Sequence, residues 1–273
     1  MRITITGLGH VGTTLAEWLQ ADNDVTLFDI KNGSPYPSEE VRSCDLEFIC
    51  VGTPEASDGS CDTSQVEAAI DQSTSPLIIL KSTVPPGTTQ GLAERFHRKI
   101  VHSPEFFGEL KSSSAYWSNE SEMPFTILGG VPEAVAEARG KLQQLRAEDH
   151  IFYSCSSTEA ELIKYMENCF LALKVSFCNE FYSLAALLKL DWESVRKGWL
   201  LDPRIGESHT VVHVNDPGFG GRCFPKDTKA ITTFARNLGH DLPIMEASIE
   251  ANDLIRKNFS LLRLEDSEVP HSG

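Results

Sequence analysis

Short apolar runs rich in β-branched residues alternate with longer stretches of helical periodicity over the first half of the chain. Residues 2–6 alternate in polarity and predict a strand. Further strands are predicted at 25–28, 46–51, 77–80, 100–102, 125–128 and 151–153, the last closing the sheet. Helical patterns fall between them at 13–20, 63–70, 89–96 and 134–146, with Gly140 weakening the last. Strands alternating with helices predict an α/β fold with a doubly wound parallel sheet. From residue 158 to about 187 neither Gly nor Pro interrupts the pattern. A helix of ~30 residues at 1.5 Å each spans roughly 45 Å, long enough to join two domains. Ser156 with Glu159, or Thr158 with Glu161, predicts a capping box at its start. Leu162, Met166, Cys169 and Leu173 are expected to supply its apolar packing, and Lys164 and Asn168 fall one turn apart on one face. Shorter helices follow at 192–200, 225–237 and 243–257, and the polar stretch after residue 260 reads as a loose tail.

Composition narrows the partners. The 273 residues carry a net charge of −15, which argues against nucleic acid or an anionic membrane. No stretch approaches the ~20 apolar residues of a membrane span, and no secretory signal opens the chain. The seven cysteines lack framework spacing and any CxxC pair, so reduced thiols in a cytoplasm are expected. No metal site is predicted.

The chemistry begins at Gly7-Leu8-Gly9-His10-Val11-Gly12, between the first strand and the first helix. Glycines there let backbone N–H groups approach a pyrophosphate at a helix N-terminus. Asp29 closes the second strand about 20 residues later, where a carboxylate accepts hydrogen bonds from a ribose and repels a 2′-phosphate. The order predicts a Rossmann-like domain over 1–155 that binds NAD rather than NADP, followed by a helical domain over 156–260 and the tail at 261–273. Ligands in such sheets sit beyond the carboxyl ends of strands, which places Thr53, Ser82, Thr83 and the segment after His102 beside a site. Each hydroxyl also has a plain reading as a turn cap. Glu105 and Glu109, four apart, would share one face of a helical turn.

The second chemical stretch is Gly218-Phe219-Gly220-Gly221-Arg222-Cys223-Phe224-Pro225-Lys226-Asp227. Pro225 suits the first turn of a helix, which puts Cys223 at a helix N-terminus between two cations. Both features favour the thiolate. Asp227 lies within reach as a proton-handling partner. Lys164, held near an apolar wall, is suited to donate to a developing oxyanion. Arg204 either forms a local salt bridge or binds a hydroxyl-rich or anionic ligand.

With VGTP at 51–54, KSTVPPGTT at 81–89, SPEFFGE at 103–109, AELIKYMEN at 160–168 and DPRIG at 202–206, these motifs resemble the UDP-glucose/GDP-mannose dehydrogenase family, in family order from residue 2 to about 257. The resemblance implies NAD-dependent oxidation of a sugar or nucleotide-sugar primary alcohol to a carboxylate in two steps. Cys223 then forms a thiohemiacetal and a thioester. Lys164 and Asn168 stabilise the oxyanion, Asp227 with Thr83 and Glu109 handles water and protons, and Glu105 supports that set. It also implies cofactor contacts from Gly7, Gly9, His10, Val11, Gly12, Asp29, Thr53, Ser82, Thr83, Glu109 and Lys226. Substrate contacts are implied from Glu105, Lys164, Asn168, Arg204, Phe219, Gly220 and Cys223. A homodimer is implied, with Arg204 acting across its interface. Gly108 and Arg222 stand where the family commonly has Arg and Ser, and 110–123 matches poorly and reads as a flexible loop. The expected form is a short one, lacking the family's C-terminal nucleotide-binding domain. Two other readings stay open: a non-catalytic remnant that binds NAD or a partner, and a single-step hydroxyacid dehydrogenase in which Cys223 is idle.

Overall fold

The computed structural model describes residues 1–107, 117 and 119–267, with the backbone alone beyond residue 258. The chain divides into two units, the first reaching to Met166 and the second beginning at Glu167.

The first unit holds a seven-stranded sheet: β1 (Arg2–Thr6), β2 (Asp24–Phe28), β3 (Leu46–Ile49), β4 (Ile78–Leu80), β5 (Ile100–His102), β6 (Phe125–Gly129) and β7 (Ile151–Cys155), in the order β2-β1-β3-β4-β5-β6-β7. The reversal between β1 and β3 is the switch point of a doubly wound sheet. Strands β1 to β5 are parallel, as the sequence predicts. β6 is not: it meets β5 antiparallel at His102 opposite Gly129, and β7 pairs parallel to β6. The long stretch between β5 and β6 carries the chain back without a crossover helix among the described residues, which allows the reversal.

Helices α1 (His10–Leu19), α2 (Ser38–Ser43), α3 (Ser64–Gln72), α4 (Thr88–Phe96) and α5 (Pro132–Leu142) complete this unit. Ile3, Ile5, Phe48, Ile79 and Val101 build one core with Leu15, Leu19, Ala134 and Ala138 of α1 and α5. Ile49, Ile78, Leu80 and Ile100 build the other with Val66, Ile70 and Leu92 of α3 and α4. A strand covered on both faces reads as a continuous apolar run, which is why β3 and β4 are plain in the sequence. α2 is too short and polar to show as a helical pattern. α5 stops at Leu142 and a 3-10 turn, Gln143–Leu145, replaces its predicted end.

α6 (Ser157–Leu187) begins in the first unit and continues into the second. Ser156 and Glu159 form its capping box: the Glu159 carboxylate accepts from Ser156 N–H at 2.8 Å, and Ser156 Oγ accepts from Glu159 N–H at 3.2 Å. Its buried face mixes polar residues with Tyr165, Cys169, Ala172, Cys178 and Ala185, and an apolar stripe stays outside. Glu161, Lys164, Asn168, Ser176 and Asn179 are buried, while Leu162, Met166, Phe170, Phe177, Phe181 and Leu184 are exposed. Leu162 and Met166 are therefore not core residues; of the four expected to pack, Cys169 is buried and Leu173 half-buried. By length and composition α6 is also apolar enough to cross a membrane, correcting the sequence reading. Charged residues interrupt its apolar run and hid this. A core helix of a soluble protein passes the same test.

The second unit adds α7 (Trp192–Trp199), α8 (Phe224–Asn237) and α9 (Pro243–Ser267). Cys178, Ala185 and Trp192 form a small core with Tyr182, Trp199 and Val212. α9 runs ten residues beyond its predicted end at Lys257, into the stretch expected to be a loose tail. No Gly or Pro stands between 258 and 267 to stop it.

Candidate active site

The cofactor end is built from β1 outward. Gly7 takes φ +92°, and a Cβ there would lie 2.8 Å from the Cys50 carbonyl group at the end of β3. A Cβ on Gly12 would meet Gly7 O at 1.9 Å, so α1 packs against the turn only because position 12 has no side chain. Gly9 caps α1 without a side-chain acceptor, and a Cβ on it would meet nothing within 4 Å. Uncapped amides facing open space form a cradle of the kind a pyrophosphate fills. Asp29 braces this turn: Oδ2 accepts from Leu8 N–H at 2.8 Å and Oδ1 from Lys31 N–H at 2.9 Å. The Leu8 amide, first among several causes, holds its carboxyl below the usual carboxylate range. His10 and Val11 open α1 beside the turn.

Thr53, Ser82 and Thr83 follow β3 and β4 at the carboxyl edge of the sheet. Ser82 Oγ donates to Val51 O at 2.8 Å, a bond across to the segment after β3 rather than a local turn cap, and the Thr83 carbonyl accepts from the Cys61 thiol at 3.8 Å. Residues 103–107 are irregular rather than helical, so the helical turn that would align Glu105 with Glu109 is not formed at Glu105; Glu109 lies outside the described residues. Glu105 instead pairs with Lys164 of α6 at 3.1 Å, and the Lys164 ammonium lies 4.9 Å from the centre of the Phe106 ring. Both side chains are nearly buried. Nearby His102 is wholly buried at the end of β5; burial first, then the Lys81 and Lys164 ammoniums, push its imidazole down to about 3 and keep it neutral.

Glu161 belongs to the capping-box alternative that does not form. It does not cap its own helix. Its Oε2 accepts from Gly87 N–H at 2.6 Å and its Oε1 from Thr89 N–H at 2.7 Å, capping α4 at the end of the KSTVPPGTT motif. Burial pushes its carboxyl up to about 6 despite those donors.

The second unit holds the thiol. Cys223 is the N-cap residue of α8, Pro225 lies in the first turn, and Cys223 O accepts from Asp227 N–H at 2.8 Å. Asp227 is buried, with Oδ2 accepting from Asn168 Nδ2 at 2.6 Å and Oδ1 from Lys226 Nζ at 2.5 Å. Two asparagines from separate helices hold the glycine loop before Cys223. Asn179 accepts from Gly218 N–H at 3.1 Å. Asn252 accepts from Phe219 N–H at 2.6 Å and donates to Phe219 O at 3.1 Å. Gly218 has φ +81° and no space for a Cβ, which would lie 2.5 Å from Asn252 Oδ1. A Cβ on Gly220 would lie 3.1 Å from the Arg256 guanidinium. Asn252 carries no local sequence signal: it is one polar residue in an amphipathic helix. Arg204 is exposed and forks onto Asp202, with Nη2 at 2.5 Å from Oδ2, the local salt bridge of its two readings. The loop carrying it is tied to α6 by Lys174, whose Nζ donates to Ile205 O at 2.9 Å and Gly206 O at 2.6 Å.

Within each unit, then, the structure joins Glu105 to Lys164 and joins Asn168, Lys226 and Asp227 to the helix that Cys223 caps. Among the described residues no group of three or more His, Cys, Asp or Glu is placed to hold a metal ion.

Residues 34–142 match the NAD-binding domain model of the UDP-glucose/GDP-mannose dehydrogenase family, and residues 158–254 match its central domain. YtcA of Bacillus subtilis is 31% identical over 93% of this chain and 68% of its own length. The UDP-glucose 6-dehydrogenase of Pseudomonas aeruginosa is 36% identical over 81% of this chain and 51% of its own. A UDP-glucose dehydrogenase structure from the archaeon Pyrobaculum islandicum superposes with a TM-score of 0.79 at 31% identity, over 92% of this chain and 68% of that one. The chain thus spans between about half and about two thirds of the length of these three relatives.

Proposed function

The chain belongs to the UDP-glucose/GDP-mannose dehydrogenase family and binds NAD, and from that premise we propose that it oxidises the primary alcohol of a nucleotide sugar, or of a smaller sugar-like alcohol, to a carboxylate. The observation that supports this most is Cys223 at the N-cap of α8, with Asp227 buried and bonded to both Asn168 and Lys226. NAD, when bound, accepts one hydride in each of two oxidations. The glycine turn and Asp29 would hold its phosphate and ribose ends, and the open space beside Gly9, where an added Cβ would meet nothing within 4 Å, supports that placement.

In this reading the first oxidation turns the alcohol into an aldehyde. The Cys223 thiolate, favoured by the helix N-terminus and by Arg222 and Lys226, adds to its carbonyl carbon and forms a thiohemiacetal. Lys164 and Asn168 donate to the oxygen as charge develops, each worth about 3–4 kcal/mol if typical of oxyanion donors. Loss of the second hydride leaves a thioester. Water then attacks the acyl carbon, the C–S bond breaks, and the acid departs as the thiol is restored. Asp227 and Thr83 take part in placing that water and moving its protons, with Glu105 holding Lys164. Glu109 and Arg204 enter through the resemblance alone. A reduced thiol requires a reducing compartment, which favours the cytoplasm. The exposed apolar side of α6 favours a homodimer, since side chains such as Phe170 and Phe181 need a cover.

The test is turnover of UDP-glucose and related nucleotide sugars with NAD. Two NADH per acid are expected, and Cys223→Ser should lower turnover by at least ~10³-fold. One NADH per substrate with Cys223→Ala unimpaired would favour the hydroxyacid reading. The same assay separates the other reading, a protein that binds NAD without catalysis. NAD binding with no alcohol oxidised would favour it.

A further inference from the structure

Lys81, Glu120 and Arg146 form a buried ionic triad in the first unit that the proposed chemistry does not use. Lys81 follows β4, Glu120 opens the 3-10 turn Glu120–Glu122, and Arg146 stands between the turn after α5 and β7. Lys81 Nζ lies 3.1 Å from Glu120 Oε2, and Arg146 Nη2 lies 2.8 Å from Glu120 Oε1. Arg146 Nη1 also donates to the Glu120 carbonyl at 2.5 Å. All three side chains are less than a tenth exposed. Removing three charges from water is costly, and apolar side chains of similar volume often serve stability as well or better. What an ionic triad adds is direction.

Its outer contacts show what is directed. Lys81 Nζ also reaches the Pro104 carbonyl at 3.5 Å, and the Arg146 guanidinium lies 4.3 Å from the centre of the Trp18 ring on α1. Pro104 belongs to residues 103–107. Their Phe107 ring packs 5.5 Å from that of His10, the first residue of α1, and their Glu105 pairs with Lys164. The helix that opens at the glycine turn and the segment packed against its first residue are thus both tied to one buried carboxylate.

We propose that Lys81, Glu120 and Arg146 are positioning residues for NAD: they fix residues 103–107 against the N-terminus of α1 and thereby set cofactor affinity. The triad acts through the backbone it holds. Its test reads NADH binding alone and stands apart from whether any alcohol is oxidised. In fluorescence titrations of the whole chain, Lys81→Met should raise the NADH Kd about tenfold, and Lys81→Arg should stay within about threefold of the parent. Val66→Ala, a cavity in the α3 core, controls for lost stability: it should lower the melting temperature and leave the Kd unchanged. Arg146→Lys keeps the charge but loses the fork onto Glu120, and it replaces Lys81→Met if that variant does not fold. Parent affinity in Lys81→Met or, where that variant does not fold, in Arg146→Lys, an equal loss in Val66→Ala, or no NADH binding by the parent overturns the inference.

Discussion

Glu161 illustrates how far a single carboxylate acts from its own place in the chain. Its two oxygens hold the first amides of α4, 72 and 74 residues away. Burial raises its carboxyl from 4.5 to about 6, so the folded state holds its proton more tightly than the unfolded state does. The stabilisation from that proton is full below about pH 4.5 and is lost as pH rises through 6, a change of about 2 kcal/mol. Melting temperatures between pH 4 and 7.5 should show this descending contribution, and Glu161→Gln should remove it. The same variant should be less stable throughout, because one amide loses its acceptor, at about 1–3 kcal/mol. Parallel pH profiles for the two proteins would contradict the assignment. The places of Gly7, Gly12, Asp29 and Cys223 in the fold were legible in the sequence because they follow from neighbours within a few residues or one strand–turn–helix unit. Glu161, Asn252 and the Lys81–Glu120–Arg146 triad were not, because each works on backbone or charge brought near only by the fold.

At the scale of elements, the parallel strands and most helices follow from apolar periodicity, with boundaries shifted by a few residues. The reversed β6 and β7 did not, since a short strand carries no mark of its direction. α6 was legible in length and in its capping box but not in its facing. Helical periodicity shows that two faces differ; it does not say which residues lie inside. The element with the clearest chemistry, the loop into α8, depends on partners from two other helices. Asn252→Ala removes both bonds to Phe219, and a loss of about 2–3 kcal/mol is expected from the unpaired buried N–H and C=O groups. Faster hydrogen exchange confined to residues 217–222 would show that the loop loosens ahead of α8. Unchanged protection there would mean that Asn179 and the glycine backbone suffice.

At the scale of the whole molecule, the exposed side of α6 bears on assembly. Phe177 and Phe181 pack on each other at 4.6 Å between ring centres, and Phe170, Leu184 and Leu188 are also exposed. Light scattering should give twice the chain mass at micromolar concentration. Phe181→Glu combined with Leu184→Glu should halve it and leave the melting of the first unit unchanged. A wild-type chain that stays monomeric would remove the dimer from the proposal.

The apolar stripe that α6 leaves exposed also bears on how the protein behaves in the tube. On the proposed dimer, dilution below the point where copies pair should bare that aromatic flank to plastic walls and the air–water boundary. Recovery from very dilute samples should therefore be poor, and a trace of non-ionic surfactant should restore it.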